Sequence, residues 1–185
     1  MELERPQELT AGTSAGPVFL STEHGVRYPS GVYAHAFLGL LRAGEALERA
    51  LDADLRARHG LSLRGYEVLL HLAAFSTDGR RLAMTQLARQ APLSQSQVSR
   101  LVAGLQAQGL VRRIGDERDS RAVVVVLTDT GLDRLRRAQD THHRGLTQGL
   151  FARLTEAEIA ELARLTGKLL DGDVAAGAME RPSPD

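Results

Sequence analysis

The sequence of 185 residues contains no cysteine and no tryptophan. The lack of thiols excludes disulfide scaffolds, thiolate zinc sites, iron–sulfur clusters and cysteine-based redox sensing. No apolar run approaches the ~18 residues of a membrane span, since the apolar stretch 36–41 ends at Arg42. Residues 1–29 show no basic start leading into an apolar core, so no secretory signal is expected. We therefore predict a cytoplasmic protein without a membrane partner.

Sequence signatures of catalysis are missing as well. The chain has no His-Glu-x-x-His segment, no glycine-rich phosphate loop and no nucleophile elbow. Ser94 and Ser96 have no general base near them in sequence that could activate a nucleophile, and a helix-capping role accounts for Ser94. We predict that the protein is not an enzyme and needs no cofactor.

The charge is balanced overall but uneven along the chain. Basic and acidic side chains number 23 each, yet residues 60–125 hold nine basic and five acidic side chains, a local net charge of +4. Between Met84 and Arg113 there are four arginines and no carboxylate. A local basic surface favours a polyanionic partner, although chance clustering produces the same pattern.

Two short helices joined by a tight turn are predicted after a polar turn at 76–81. Thr85 begins the first helix, and Pro92 ends it because the residue before a proline disfavours helix. Ser94 and Gln97 have the spacing of a capping box that starts the second helix, and Gly109 fits the left-handed position that ends it. Two helices in this arrangement form a helix-turn-helix.

Valine and isoleucine become frequent after the second of these helices. They recur within residues 111–114 and 122–127, and the polar segment 115–121 separates the two runs. The pattern predicts a two-stranded hairpin with a charged tip. A helix-turn-helix followed by such a hairpin is a winged helix, whose second helix enters the major groove of DNA. The predicted fold class is therefore mainly α with a small β-hairpin wing.

The second helix carries side chains suited to reading DNA bases. Arginine pairs with guanine and glutamine with adenine, and this helix has no carboxylate that would repel phosphates. An ordinary solvated helix would mix glutamate with basic residues. The polar face of this helix consists of Ser94, Gln95, Ser96, Gln97, Ser99 and Arg100.

The tip of the predicted wing combines arginines with acidic residues. Arg118 is placed to enter a minor groove, where narrow A·T tracts deepen the negative potential. Asp116, or Asp119, is suited to hold its guanidinium group in place. The alternative is a solvated turn joined by surface ion pairs, each worth about 0–1 kcal/mol.

Together these motifs resemble the MarR family of bacterial transcriptional regulators, over roughly residues 32–170. The wing resembles the family's wing signature through Asp116-x-Arg118-Asp119-x-Arg121 and Leu127-Thr128-x-x-Gly131. The helix pair resembles that of the family through Met84-Thr85-Gln86-Leu87-Ala88, the stretch 93–102 and Gly109-Leu110-Val111.

The resemblance implies a homodimer that binds double-stranded DNA at a pseudo-palindromic operator, usually as a repressor. Many such proteins release DNA when a small anionic or phenolic effector binds. By position, Arg118 is the minor-groove arginine braced by Asp116, and Arg121 belongs to the same wing motif. Thr85 is a candidate phosphate contact, and Arg64 is a weaker one.

The effector pocket is less well defined by the sequence. Tyr66 and His71 are candidate walls of the pocket, although partly buried core positions account for each of them better. Because the chain has no cysteine, it cannot be one of the thiol-oxidation sensors of the family. The lack of tryptophan is a departure from the urate-responsive branch.

The expected organisation has five segments. The long first helix is of a kind that often needs a partner helix from a second subunit. The segments are a flexible arm (1–29), an N-terminal dimerisation helix (30–60), the winged helix-turn-helix domain (61–127), C-terminal dimerisation helices (128–171) and a flexible tail (172–185).

Two alternatives concern regulation and partners. Zinc-sensing members of the family use histidine and acidic ligands, and His142 and His143 are adjacent, but neighbours on a helix do not share a face. A winged helix can also serve as a protein-interaction module, for which a neutral or acidic polar face would be expected. His59 is placed at a helix C-terminus, where the helix dipole favours a proton.

Overall fold

The computed structural model describes residues 19–74, 80–90, 94–115 and 123–170. Within these residues the α-helices are α1 (Gly31–His59), α2 (Leu63–Ala74), α3 (Met84–Gln90), α4 (Gln95–Ala107), α5 (Asp129–Gly149) and α6 (Glu156–Leu170). The strands are β1 (Phe19–Ser21), β2 (Arg27–Pro29), β3 (Arg81–Ala83), β4 (Val111–Gly115) and β5 (Val123–Leu127). A 3-10 turn, Phe151–Arg153, lies between α5 and α6.

The chain divides into two compact units after Ala46. The described part of the first unit holds a β1–β2 hairpin and the N-terminal part of α1. The strands are antiparallel, with Leu20 opposite Tyr28, and Gly25 takes the left-handed conformation in the loop (φ 75). Residues 19–29, which the sequence analysis assigned to a flexible arm, thus include a short hairpin. Strands of three residues are too short to show a readable alternation of apolar and polar positions.

The second unit contains a three-stranded antiparallel sheet in the order β3–β5–β4. Val111 pairs with Leu127 at one end of the β4–β5 ladder, and Gly115 pairs with Val123 at the other. The predicted hairpin is thus confirmed, but the sheet has a third strand, since Leu82 pairs with Val125. The sequence analysis placed this strand partly in a polar turn, because its partner lies about 40 residues further along the chain.

The core of the second unit is formed by apolar residues of α2, α3, α4 and α5, of the C-terminal part of α1 and of the sheet. Helix α6 contributes no buried residue. The central residues include Leu55, Leu61, Tyr66, Leu69, Leu72, Leu87, Val98, Val102, Leu105, Leu110, Val125 and Ala138, all at most 2% exposed.

Helix α1 differs between its two ends. Leu51 and Leu55, near its C-terminus, are buried in the core. Phe37, Leu40 and Leu41, which belong to the first unit, are about half exposed (55%, 50% and 49%). The N-terminal part of α1 therefore presents apolar surface to solvent in the single chain.

Candidate nucleic-acid interface

Helix α4 begins with the predicted capping box. The Ser94 hydroxyl accepts a hydrogen bond from the Gln97 backbone N–H (3.3 Å), and the Gln97 side-chain oxygen accepts one from the Ser94 N–H (2.8 Å). Ser94 itself has extended backbone angles, as a residue at this position requires. Two members of the polar face thus also hold the start of the helix in place.

Helix α4 ends at Gly109, which has the predicted left-handed conformation (φ 71). The Leu110 N–H donates to the Leu105 carbonyl (3.0 Å), which satisfies one of the last carbonyls of the helix. Both ends of α4 are therefore set by local hydrogen bonds, and its length follows directly from the sequence.

The two faces of α4 differ sharply in exposure. Val98, Val102 and Leu105 are buried in the core. On the other side Ser94, Gln95, Ser96, Gln97 and Arg100 are exposed, and Ser99 is half-buried. The structure therefore brings the predicted polar face together on one exposed surface.

Helix α3 starts one residue earlier than predicted, at Met84. The backbone N–H of Ala83 donates to the Gln86 side-chain oxygen (2.8 Å), so Ala83 occupies the position directly before the helix. Thr85 is exposed in the first turn of this seven-residue helix.

A groove of about 540 Å³ joins α3, α4 and the sheet. Thr85 of α3 and the polar-face residues Gln95, Ser96 and Ser99 border the same groove. Four of the predicted DNA-binding residues are thus brought together although they come from two separate helices. The remaining lining residues are Ala83, Met84, Arg113 and Val123.

Arg113 is a residue of this groove that the sequence analysis did not single out. Its guanidinium group donates to the backbone carbonyl of Ser99 (Nη2–O 2.6 Å), which ties strand β4 to the middle of α4. Its position in a β-branched strand next to Arg112 was the available sequence signal. Arg113 was counted among the basic residues of segment 60–125, but the direction of its side chain could not be read from the sequence.

Asp116, Arg118 and Arg121 lie outside the described residues, between the end of β4 and the start of β5. The pairing of Gly115 with Val123 shows that the hairpin is closed up to the base of that segment.

Arg64, the weaker phosphate candidate, is held by two carboxylates. Its guanidinium group donates to Glu67 (2.9 Å) and to Glu48 (2.9 Å). Partial burial disfavours the charged form, but the bonds and charges of Glu67 and Glu48 outweigh this and raise the pKa of Arg64. An arginine already paired in this way has less charge to offer a phosphate group.

Tyr66 lies in the core of the second unit, only 1% exposed, and burial raises the pKa of its phenol. Its ring stacks on the ring of His142, with 4.4 Å between the centroids. Burial, and secondly the charge of His143, lower the pKa of His142. His71 is half-buried on the same helix as Tyr66, and its Nδ1 lies 2.7 Å from the Glu67 carbonyl oxygen.

His59 links the end of α1 to α5. Its Nε2 lies 2.8 Å from the Thr141 hydroxyl, and Arg134 donates to its backbone carbonyl (2.6 Å). Burial, and then the positive charges of Arg134, Arg58 and Arg137, lower the pKa of His59. Burial and the basic neighbours thus act against the proton that the helix dipole alone would favour.

The described residues contain no group of three or more His, Asp or Glu side chains placed to hold a metal ion. His142 and His143 have ring centroids 6.0 Å apart and tilted by 57°. None of the described helices is long and apolar enough to cross a membrane.

The arrangement α2–α3–α4–β4–β5, with an exposed polar helix beside the sheet, is that of a winged helix-turn-helix. The family model described as "MarR family" matches residues 59–122, which span this arrangement as far as the segment between β4 and β5.

Known proteins show the same relationship over more of the chain. The structure of Sco3205, a MarR family transcriptional regulator from Streptomyces coelicolor solved in complex with DNA, is 30% identical. The match covers 82% of this chain and 98% of the Sco3205 chain, with a TM-score of 0.73. The uncharacterized HTH-type transcriptional regulator YwaE of Bacillus subtilis (strain 168) is 25% identical over 71% of this chain and 74% of its own length.

A more distant structure has the same fold over most of its length. It is the organohalide-sensing RdhR-CbdbA1625 transcriptional regulator in its 2,4-dichlorophenol-bound form. The match covers 97% of this chain and 98% of the chain of that regulator, with a TM-score of 0.69 at 19% identity.

The fold and the polar helix thus define a winged-helix DNA-binding protein. The chain belongs to the MarR family of transcriptional regulators. Transcriptional regulation through DNA binding is accordingly its function.

Proposed function

We propose that the protein is a homodimeric, ligand-responsive repressor that acts on a pseudo-palindromic operator. The observation that carries this proposal is the exposed polar face of α4, free of carboxylates and bordering the groove beside α3. A surface of hydrogen-bonding and basic side chains on one helix is complementary to the edges of bases in a major groove.

Different members of the polar face have different proposed roles. Gln95, Ser96 and Arg100 are the base-reading side chains, because they are exposed and take no part in the capping box. Ser94, Gln97 and Ser99 support them, the first two by setting the start of the helix. Phosphate contacts supply most of the affinity and its salt dependence.

Contacts outside α4 complete the proposed interface. Thr85 is proposed to contact a phosphate from the first turn of α3, where it is exposed. Asp116, Arg118 and Arg121 are proposed to form the minor-groove contact of the wing, on the strength of their resemblance to the family's wing signature.

The homodimer is supported by apolar surface that the single chain leaves exposed. On α1 this surface includes Phe37, Leu40 and Leu41, and on α6 it includes Leu165 (45% exposed) and Leu169 (70% exposed). Exposed large apolar side chains of this kind would be removed from water if a second copy of the chain packed against either helix. We propose that segments 30–60 and 128–171 form the dimer interface around the DNA-binding domain 61–127.

The response to a ligand is supported by the family and by the chlorophenol-bound regulator that shares this fold. A ligand releases DNA only if it binds the non-binding geometry of the dimer more tightly than the binding geometry. Tyr66 and His71 are the proposed pocket walls. Because Tyr66 is packed against His142, its ring must move for a ligand to reach it.

Selection of bound duplexes from a random DNA pool tests the DNA-binding part of the proposal. We expect an inverted repeat whose half-sites lie about 10 base pairs apart, one helical turn, as two symmetric recognition helices require. A selected site without such symmetry would contradict the dimeric mode of binding.

Two glutamines of α4 provide a matched pair for the selected site. Gln95→Ala, at the polar face, is expected to relax the base preference at one position of each half-site. Gln106→Ala, equally exposed but near the opposite end of the helix, is expected to leave the preference unchanged. Equal effects of the two variants would remove Gln95 from the reading face.

The ligand part is tested on the purified protein–operator complex. A panel of phenols and small aromatic acids is titrated at constant ionic strength, and saturable loss of DNA binding is expected with at least one of them. Unchanged operator affinity across the panel would argue against this class of effector.

A further inference from the structure

Strand β4 carries two neighbouring arginines in opposite environments. Successive side chains of a strand point to opposite faces, and here Arg112 is exposed whereas Arg113 is half-buried between the strand and α4. The two residues have the same side chain and adjacent positions, so they differ only in the face of the strand from which the side chain projects.

Arg113 forms a bond that reaches from the sheet to the recognition helix. Its Nη2 donates to the Ser99 carbonyl oxygen at 2.6 Å, across 14 residues of sequence. A helical carbonyl has a second lone pair after its bond within the helix, so it can accept this additional donor. Ser99 lies between Ser96 and Arg100 on the polar face, so the bond acts at the centre of that face.

A second donor of the same guanidinium group is left unpaired in the described structure. Nε of Arg113 is buried and has no hydrogen-bond partner among the described residues. A buried donor without a partner is unfavourable, and an apolar side chain of similar length would avoid that penalty. Packing therefore does not account for an arginine at this position, whereas its bond to α4 does.

We infer that Arg113 is a positioning residue for sequence reading: its bond to Ser99 sets the rotation of α4 relative to strand β4. Hydrogen bonds to base edges depend on the angle and distance of each side chain, so a small rotation of the helix weakens them together. Contacts to phosphates by mobile side chains tolerate such a rotation. This inference rests on the proposed role of the polar face in reading bases.

The test compares affinities for the selected operator and for an unrelated duplex, at matched salt, in three variants. Arg113→Met removes the charge and the bond but keeps the side-chain length. Arg113→Lys keeps the charge and one donor that can reach the Ser99 carbonyl. Arg112→Met removes an equal charge from the exposed face of the same strand.

Arg113→Met is expected to lower operator affinity by about tenfold or more, the size of one lost base contact, with a much smaller change on the unrelated duplex. Arg113→Lys is expected to recover part of the lost discrimination. Arg112→Met is expected to weaken both duplexes by similar factors. The backbone amides of α4 are expected to exchange hydrogen faster in Arg113→Met than in the natural chain. Faster exchange would show that the helix is held less firmly without this bond.

Equal losses on both duplexes for Arg113→Met, with a shallower salt dependence, would show a phosphate contact and overturn the inference. So would unchanged discrimination in a folded variant. If Arg113→Met fails to fold, Arg113→Lys decides the question. This variant retains the charge, so the inference requires that it still lose part of the preference for the selected operator over the unrelated duplex. If Gln95→Ala and Arg100→Ala also leave base preference unchanged, the proposed reading face itself is wrong, which is a separate outcome.

Discussion

At the scale of single residues, Gly131 has the most restricted surroundings among the described glycines. A Cβ atom at this position would overlap the backbone carbonyl oxygen of Leu110 and lie 2.7 Å from Leu127 Cδ1. The backbone of α5 can approach the end of α4 this closely only without a side chain. Thr128 strengthens the same joint, since its hydroxyl donates to the Gly109 carbonyl (2.7 Å) and accepts from the Gly131 N–H (3.0 Å).

We predict that Gly131→Ala destabilises the protein by about 1–3 kcal/mol, the usual effect of forcing extra atoms into a packed site. The blocking group is a backbone carbonyl, which cannot move aside as a side chain can. Denaturant unfolding followed by circular dichroism measures the change.

Gly104→Ala is the matched control for this substitution. Gly104 lies inside α4 and has open space around it, so alanine is expected to be neutral or stabilising by up to about 1 kcal/mol. Stability losses of the same size at both positions would show that the close approach at Gly131 is not the cause.

At the scale of elements, helix α4 shows how stability and function overlap. Its first turn depends on the hydroxyl of Ser94, and the same residue lies on the polar face. The capping requirement is for an oxygen acceptor, whereas the DNA-binding requirement is for the absence of negative charge. The two roles can therefore be separated by substitution.

We predict that Ser94→Ala lowers stability by about 1 kcal/mol, since it removes the cap acceptor. Ser94→Asp restores an acceptor and is expected to keep stability near that of the natural chain, while its carboxylate weakens DNA binding by repelling phosphates. Unfolding curves and DNA titrations on the same preparations give both quantities. Undiminished DNA affinity in Ser94→Asp would place Ser94 away from the bound DNA.

Two histidines, His59 on α1 and His142 on α5, have neutral forms that are favoured by their surroundings. Burial is the main reason that the pKa values of His59 and His142 both lie below the ordinary value of 6.5. In the unfolded chain these rings take up protons at a higher pH than in the folded one. Their contribution to stability is therefore present above about pH 6.5 and is lost as the pH falls towards their folded pKa values.

We predict that the free energy of unfolding decreases between pH 7.5 and pH 5.5, and that the double variant His59→Gln/His142→Gln shows a smaller decrease. Urea titrations at constant ionic strength across this range provide the measurement. Parallel pH profiles for the two proteins would contradict the assignment of this dependence to His59 and His142.

At the scale of the whole molecule, the exposed apolar surface of α1 and α6 is the feature that a single chain does not explain. Phe37 and Leu41 are about half exposed on α1, and Leu169 is 70% exposed on α6. A second copy of the chain would remove such surface from water, with a gain of roughly 25 cal/mol for each Å² of apolar area.

We predict a mass in solution of twice that of one chain, measured by light scattering at micromolar concentration. Phe37→Glu is expected to shift the protein towards the monomer and to weaken operator binding, because one chain can occupy only one half-site. Ala74→Glu adds the same charge at an exposed position of α2, outside the proposed dimer interface, and is expected to remain dimeric. A monomeric natural chain would contradict the dimer.

Local signals were sufficient to predict much of this protein. The capping box of Ser94 and Gln97, the stop at Gly109 and the valine runs of the hairpin all depend on residues close in sequence, and the structure confirms each of them. Such signals depend on hydrogen bonds over three or four residues and on the alternation of apolar side chains. The winged-helix fold could therefore be predicted before any tertiary contact was known.

Other features depend on contacts between distant segments. Strand β3 acquires its partner from β5, Arg113 finds its acceptor at Ser99, and Tyr66 stacks on His142, 76 positions further along the chain. The pKa of His59 is lowered rather than raised because folding buries it among arginines. By itself the sequence determined the β4–β5 hairpin, the two ends of α4 and the polar face of α4, since these arise from neighbouring residues. Tertiary structure decided which side chains face the groove, the core or solvent, because only packing brings distant residues into contact.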